Sequence, residues 1–228
     1  MFVLGCGGSP GGGAEEVEAA RDTQVGVAEV ALVFKSEGVR WIREERDRQY
    51  PRASPLDAED RRRFSGFFPE RILDRARVRV VGRFENPDFF SVFDRLGEPY
   101  PIDLRRASGL ALIDTILVIR RAAAGRNRGE LLFHELVHLV QYDVLGLEGY
   151  MDRYVDSWAE NGRSYRQIPH ERQAFELATR FRRSADDRFS VESAVRARFG
   201  IGAESDRPDW ELHGLSSRRK LTDSRVFH

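Results

Sequence analysis

Gly129-Glu130-Leu131-Leu132-Phe133-His134-Glu135-Leu136-Val137-His138-Leu139-Val140-Gln141-Tyr142 is the stretch on which the reading of this chain turns. It has no proline, and its only glycine stands first. Leu132, Leu136, Leu139 and Val140 keep helical spacing, so the spacing predicts a helix with one apolar face. Asn127 is the candidate N-cap, with Glu130 three residues on as an imperfect capping box. On a helix, residues i and i+4 lie one above the other, their Cβ atoms ~5–6 Å apart. His134 and His138 can therefore address one metal ion. Glu135 follows the first imidazole directly, where its carboxylate reaches a water on the ion rather than the ion itself. With 5 histidines in 228 residues, chance would produce H-E-x-x-H about 0.01 times in such a chain.

The pentapeptide is the sequence form of a zinc-peptidase site. A catalytic zinc takes three protein ligands and keeps a fourth position open. A third histidine six residues after His138 would require glycine at 141 and histidine at 144, but Gln141 and Val144 stand there. The inverted H-x-x-E-H order is absent too. A carboxylate from a later helix remains. Ile168-Pro169-His170-Glu171-Arg172-Gln173-Ala174-Phe175 has proline at a first-turn position, an acid beside it, and the small Ala174 three residues on to admit a close helix. Glu171 is the candidate third ligand, with Glu176, Glu160 and His170 as competitors. His170 is expected at the surface. Tyr142, Tyr150, Tyr154 and Tyr165 are candidate oxyanion donors or packing residues. Asp143 and Asp156 are candidate acceptors for a ligand imidazole N–H.

The block Leu131 to Tyr142 resembles the minimal gluzincin-type metallopeptidase domain of bacteria. That group includes the metallopeptidase core associated with extracellular contractile injection systems, whose motif continues into V-x-Q. Pro169-x-Glu171-x-x-Ala174-Phe175 is similar to the group's P-x-E-x-x-A-[YF] segment, and Gly109 to Ile116 resembles the strand before the motif. The likeness covers residues 54 to 183. It implies His134, His138 and Glu171 as zinc ligands and Glu135 as general base, acting on a peptide or protein substrate. The alternative from another class is a non-catalytic envelope interaction module, zinc-stabilised or metal-free, on the same fold.

The rest of the chain points to an α+β, mostly helical, zincin-like domain with a small antiparallel or mixed sheet beside the H-E-x-x-H helix. Residues 1–24 read as a flexible tether, Gly-rich and then acidic, residues 25–200 as the domain, and 201–228 as a poorly ordered tail. Val25 to Tyr50 reads as helix, with Gly38 as a possible break. Ser54-Pro55-Leu56-Asp57 reads as a helix start with Ser54 capping, and 70–75 as a short helix. Arg77 to Phe84 alternates as a half-buried strand with Val78 and Val80 on one face. Leu110 to Arg120 reads as a second strand, a candidate edge beside the metal that could pair with extended substrate. Helices follow over 150–160, from Pro169, and over 190–199.

Lys plus Arg number 37 and Asp plus Glu 37. Without a basic excess, nucleic acid is not an indicated partner. The runs Arg61-Arg62-Arg63, Arg120-Arg121, Arg182-Arg183 and Arg218-Arg219-Lys220 read as solvated faces. The single cysteine, Cys6, excludes an intrachain disulfide and a four-cysteine zinc site. Val3-Leu4-Gly5-Cys6 resembles a bacterial lipoprotein cleavage box, which implies a lipidated Cys6 and attachment at the cell envelope. Only five residues precede it, short of an apolar leader; a cytoplasmic chain is the alternative. Oligomeric state is not legible.

Overall fold

The computed structural model describes residues 12–161, 164–184 and 186–202. Its helices are α1 (Gly12–Gln49), α2 (Ala58–Phe64), α3 (Glu70–Arg75), α4 (Ser91–Leu96), α5 (Arg120–Ala123), α6 (Arg128–Glu160), α7 (Pro169–Arg183) and α8 (Val191–Phe199). Its strands are β1 (Ser54–Pro55), β2 (Arg77–Val81), β3 (Gly109–Leu112) and β4 (Thr115–Ile119), in the order β1-β2-β4-β3. β2 runs parallel to β4, while β1–β2 and β3–β4 are antiparallel. The architecture is the expected α+β, mostly helical, with a small mixed sheet.

The metal-motif helix α6 is the axis, against which α1, α7, α8 and β3 all pack. Its rotation is set by aromatic packing. Phe133 stacks on Phe181 at 4.5 Å and meets Phe68 at 4.7 Å and Phe67 at 5.4 Å edge to face. Burying one such ring stabilises by ~1.5–3 kcal/mol. With Phe133 locked into that core, the next residue, His134, falls about 100° further round the helix, off the aromatic cluster. Gly146 interrupts the helix at φ 70° and ψ 161°, a conformation open to little but glycine. The break re-aims the second half, so that Tyr150 and Tyr154 face back toward the motif.

Several sequence expectations give way to tertiary context. Leu110 to Arg120 is a hairpin, not one strand. Asp114 N–H donates to Leu112 C=O at 2.7 Å, Ile113 takes φ 60°, and Arg46 of α1 clamps the Asp114 carboxylate at 2.8 and 2.5 Å. α1 starts at Gly12, ahead of the Val25 start, and runs unbroken through Gly38, where Met151 packs so closely that a Cβ would come within 2.7 Å of its Cε. Ser54 is in β1 rather than a cap; Asp57 caps α2, accepting from Asp60 N–H at 2.8 Å. Asn127 makes no side-chain cap bond to α6. Val80 stands 51 % exposed, so β2 lacks the buried Val78/Val80 face. Among the described residues no helix is long and apolar enough to cross a membrane. Cys6, the Arg218 run and the tail from 203 lie outside the described residues.

Candidate metal centre

α6 and α7 bring the first two carriers of the site together. His134 and His138 are 8 % and 5 % exposed, and Glu171, in the first turn of α7, is 5 % exposed. Their donor atoms form a small triangle. His134 Nε2 lies 3.1 Å from His138 Nε2, and Glu171 Oε2 lies 3.6 and 3.5 Å from the two nitrogens. Three donors this far apart suit one ion at ~2.0–2.1 Å from each. This buried group could hold a metal ion. Ala174 is fully buried between the helices, where its small side chain permits the approach.

The competitors lie elsewhere. Glu176 is on the surface, paired with Arg172 and Arg198, and Glu160 is exposed at the end of α6. His170 overturns the expectation of a surface histidine: it is 0 % exposed. Its ring packs 4.4 Å from Tyr150 and 4.6 Å from Phe199, and among the described residues its ring nitrogens find no hydrogen-bond partner. Burial, helped by the neighbouring His138, pushes its pKa down to about 3, so the imidazole is neutral and acts as an aromatic core residue.

The group that orients the His138 imidazole is neither Asp143 nor Asp156. Asp143 is enclosed by Arg71 at 2.9 Å and Arg75 at 2.7 Å, and Asp156 pairs with Lys35 at 2.7 Å. The orienting group is Gln141, fully buried, with Oε1 2.9 Å from His138 Nδ1. An N–H on Nδ1 donating to that amide leaves Nε2 as the free electron pair, the tautomer a metal needs. Gln141 Nε2 in turn donates to the His170 carbonyl and to Gln173 Oε1, both at 3.1 Å, and Gln173 Nε2 donates to the Ala194 carbonyl at 2.9 Å. One amide chain thus ties α6, α7 and α8 around the site. Its only sequence signal was a glutamine three residues after a candidate ligand, on the same helix face.

Glu135 is 5 % exposed. Burial pushes its carboxyl pKa up, against the lowering effect of the two imidazoles. For Glu171 burial acts in the same upward direction, but His138 and His134 outweigh it and hold the carboxyl well below the usual range. Burial disfavours charge on His138, yet Glu171 raises its pKa to about 9. Gly109 of the edge strand β3 lies directly on Glu135: a Cβ there would sit 2.8 Å from its carboxyl carbon. Of the four tyrosines, Tyr165 is the half-buried one, its hydroxyl donating to Glu171 Oε2 at 2.5 Å. The Tyr142 hydroxyl donates to the Ala111 carbonyl at 3.4 Å, and the Tyr150 hydroxyl lies 3.4 Å from His138 Nδ1.

Two cavities meet here. An apolar one of about 100 Å³ runs inward between α1 and α6, and a larger open cleft runs past Gly109, the first residue of β3, and the start of α6. His134, Glu135, Tyr165, Gly109 and Ile102 line both. Fold and site together define an α+β protein with a buried His-His-Glu group at the junction of a cleft and a pocket. No protein-family model, curated protein or solved structure matches the chain, so its functional reading rests on this geometry and on the motif.

Proposed function

We propose that this chain is a zinc-dependent peptidase of gluzincin type, with His134, His138 and Glu171 as ligands and Glu135 as general base. The observation that carries the reading is the placement of Glu135. Its carboxylate is buried beside the ligand triangle and lines the open cleft. A purely structural zinc site closes its fourth position and has no use for a basic carboxylate there. The donor set of two imidazoles and one carboxylate suits zinc, which when bound supplies a water acidified toward neutral pH and a polarised carbonyl.

The chain's own residues do the rest. Glu135 accepts the proton of the attacking water and passes it to the leaving amine. Burial raises the pKa of this carboxyl, which makes it a stronger base toward the proton of the attacking water. Gln141 holds His138 in its ligand tautomer. Tyr165, whose hydroxyl already points into the site, is a donor within reach of a developing oxyanion. The edge strand β3 borders the cleft at Gly109, and among the described residues no further strand pairs with its outer side, so an extended peptide could add there.

The decisive experiment is Glu135→Gln. The variant should bind zinc and fold as the wild type does, while peptide cleavage falls by a factor of ~10²–10⁴. Unchanged cleavage would sink the mechanism.

A further inference from the structure

The cavity that opens inward from the triad has a character of its own. Its inner wall is Phe34, Trp41 and Ile42 of α1 with Phe89, Phe90 and Leu104 from the segments around α4. Among the described residues its carboxylates are Glu135, which also lines the cleft, and Glu171, and the Tyr142, Tyr150 and Tyr154 rings close the side toward α6. Trp41 and Phe89 are half-buried, while Phe34, Ile42, Phe90 and Leu104 are each under a tenth exposed.

We infer that this cavity receives one large aliphatic side chain of the substrate, from a residue flanking the bond that is cut. The inference rests on the peptidase reading above. Ile102, Gly109, His134, Glu135 and Tyr165 line both pocket and cleft. A peptide in the cleft with its reacting carbonyl at the triad therefore has a neighbouring side chain at the pocket mouth. An anionic side chain would lose its hydration there and face Glu135 and Glu171, and a cationic one would have to carry its charge past them into an apolar interior. An apolar cavity of ~150 Å³ holds a benzene molecule. A cavity of about 100 Å³ suits leucine, isoleucine or methionine better than an indole. The aromatic ring faces that line it offer dispersion contact without requiring a hydrogen bond. Such a pocket makes the protein an endopeptidase or peptidase with a side-chain preference rather than a sequence-indifferent one.

The test compares internally quenched peptides that differ at the two residues flanking the cleaved bond, using the zinc-loaded full chain. Leucine at the pocket-bound position should exceed alanine in kcat/KM by ~10–100-fold, and aspartate should fall below alanine. Phe89→Ala, which enlarges the pocket without touching the ligands, should move the preference toward phenylalanine. A second readout needs no turnover and no metal. N-acetyl-leucinamide titrated into the metal-free chain should shift the Trp41 indole N–H resonance, assigned with Trp41→Phe, whereas N-acetyl-alaninamide should leave it in place. Cleavage indifferent to the flanking side chains, an unmoved preference in folded Phe89→Ala, or an unmoved Trp41 resonance would each overturn the pocket. A leucinamide-induced shift with no peptide cleaved would support the pocket and overturn the peptidase reading alone.

Discussion

Gly109 of the edge strand lies against the Glu135 carboxylate, so closely that an added Cβ would come within 2.8 Å of its carboxyl carbon and nearer still to Oε1. The proposed general base is thus positioned by a backbone that has no side chain to interpose. Gly109→Ala must push Glu135 aside or lift β3. Misplacement of a reacting group by about 1 Å costs ~10²-fold in rate. The expected outcome is a fall of that order in kcat, with one zinc per chain retained, measured by peptide kinetics beside metal analysis. Full activity in Gly109→Ala would show that Glu135 is not held where the reaction needs it.

His134→Ala and Glu171→Ala should each lose the metal, since either change leaves two donors. Treatment of the wild type with a chelator should lower its melting temperature, because an ion that binds only the folded state stabilises it by mass action. Metal content by elemental analysis and thermal melts check both. Zinc retained at full stoichiometry in Glu171→Ala would move the third ligand away from α7.

Gln141→Leu keeps the size of the side chain and removes the acceptor for His138 Nδ1. Loss of such an orienting partner costs ~10–100-fold in metal affinity, and competition with a coloured chelator would read it. The same change strands the His170 carbonyl and Gln173 Oε1, so a loss of stability should accompany it. Wild-type affinity in this variant would mean that the imidazole is oriented by packing alone.

Asp143→Asn should separate stability from the site. The carboxylate is buried between Arg71 and Arg75, which are about one-third and one-quarter exposed. Neutralising it should destabilise the fold by ~1–3 kcal/mol, reduced from the cost in a fully buried pair by solvent at the guanidinium ends. Denaturant unfolding would measure this, and zinc affinity should not move. A large drop in zinc affinity with intact stability would return Asp143 to the site.

The metal-free chain should carry a pH signature. His138 has its pKa raised to about 9, so its contribution to stability is complete below the ordinary histidine range and is lost as pH rises through about 9. Glu171 has its pKa lowered, so its contribution is present above the ordinary carboxylate range and is lost as pH falls toward the folded value. The pair therefore acts in full between about pH 4.5 and 6.5. Melting temperatures of chelator-treated wild type and His138→Ala should converge as pH rises from 7 to 9.5. A constant difference across that range would contradict the pairing of His138 with Glu171.

The features legible in the amino-acid order are those decided within a few residues. Helical spacing puts His134 over His138 with Glu135 beside them, whatever surrounds the helix. Pro169 starts α7 with Glu171 in its first turn, because proline at that position costs no hydrogen bond. α3, α7 and α8 fall where local pattern put them. The tertiary structure decided what depends on distant partners. Arg46, 68 residues away, clamps Asp114 at the turn of the hairpin. His170 is buried because α8 brings Phe199 onto it. Gln141 gains its role from His138 on one side and from α7 and α8 on the other. Gly109 matters because the β3 backbone crosses Glu135. Backbone periodicity is an intrinsic, short-range preference of the chain, whereas burial, second partners and close backbone approaches come into being only when remote segments pack together.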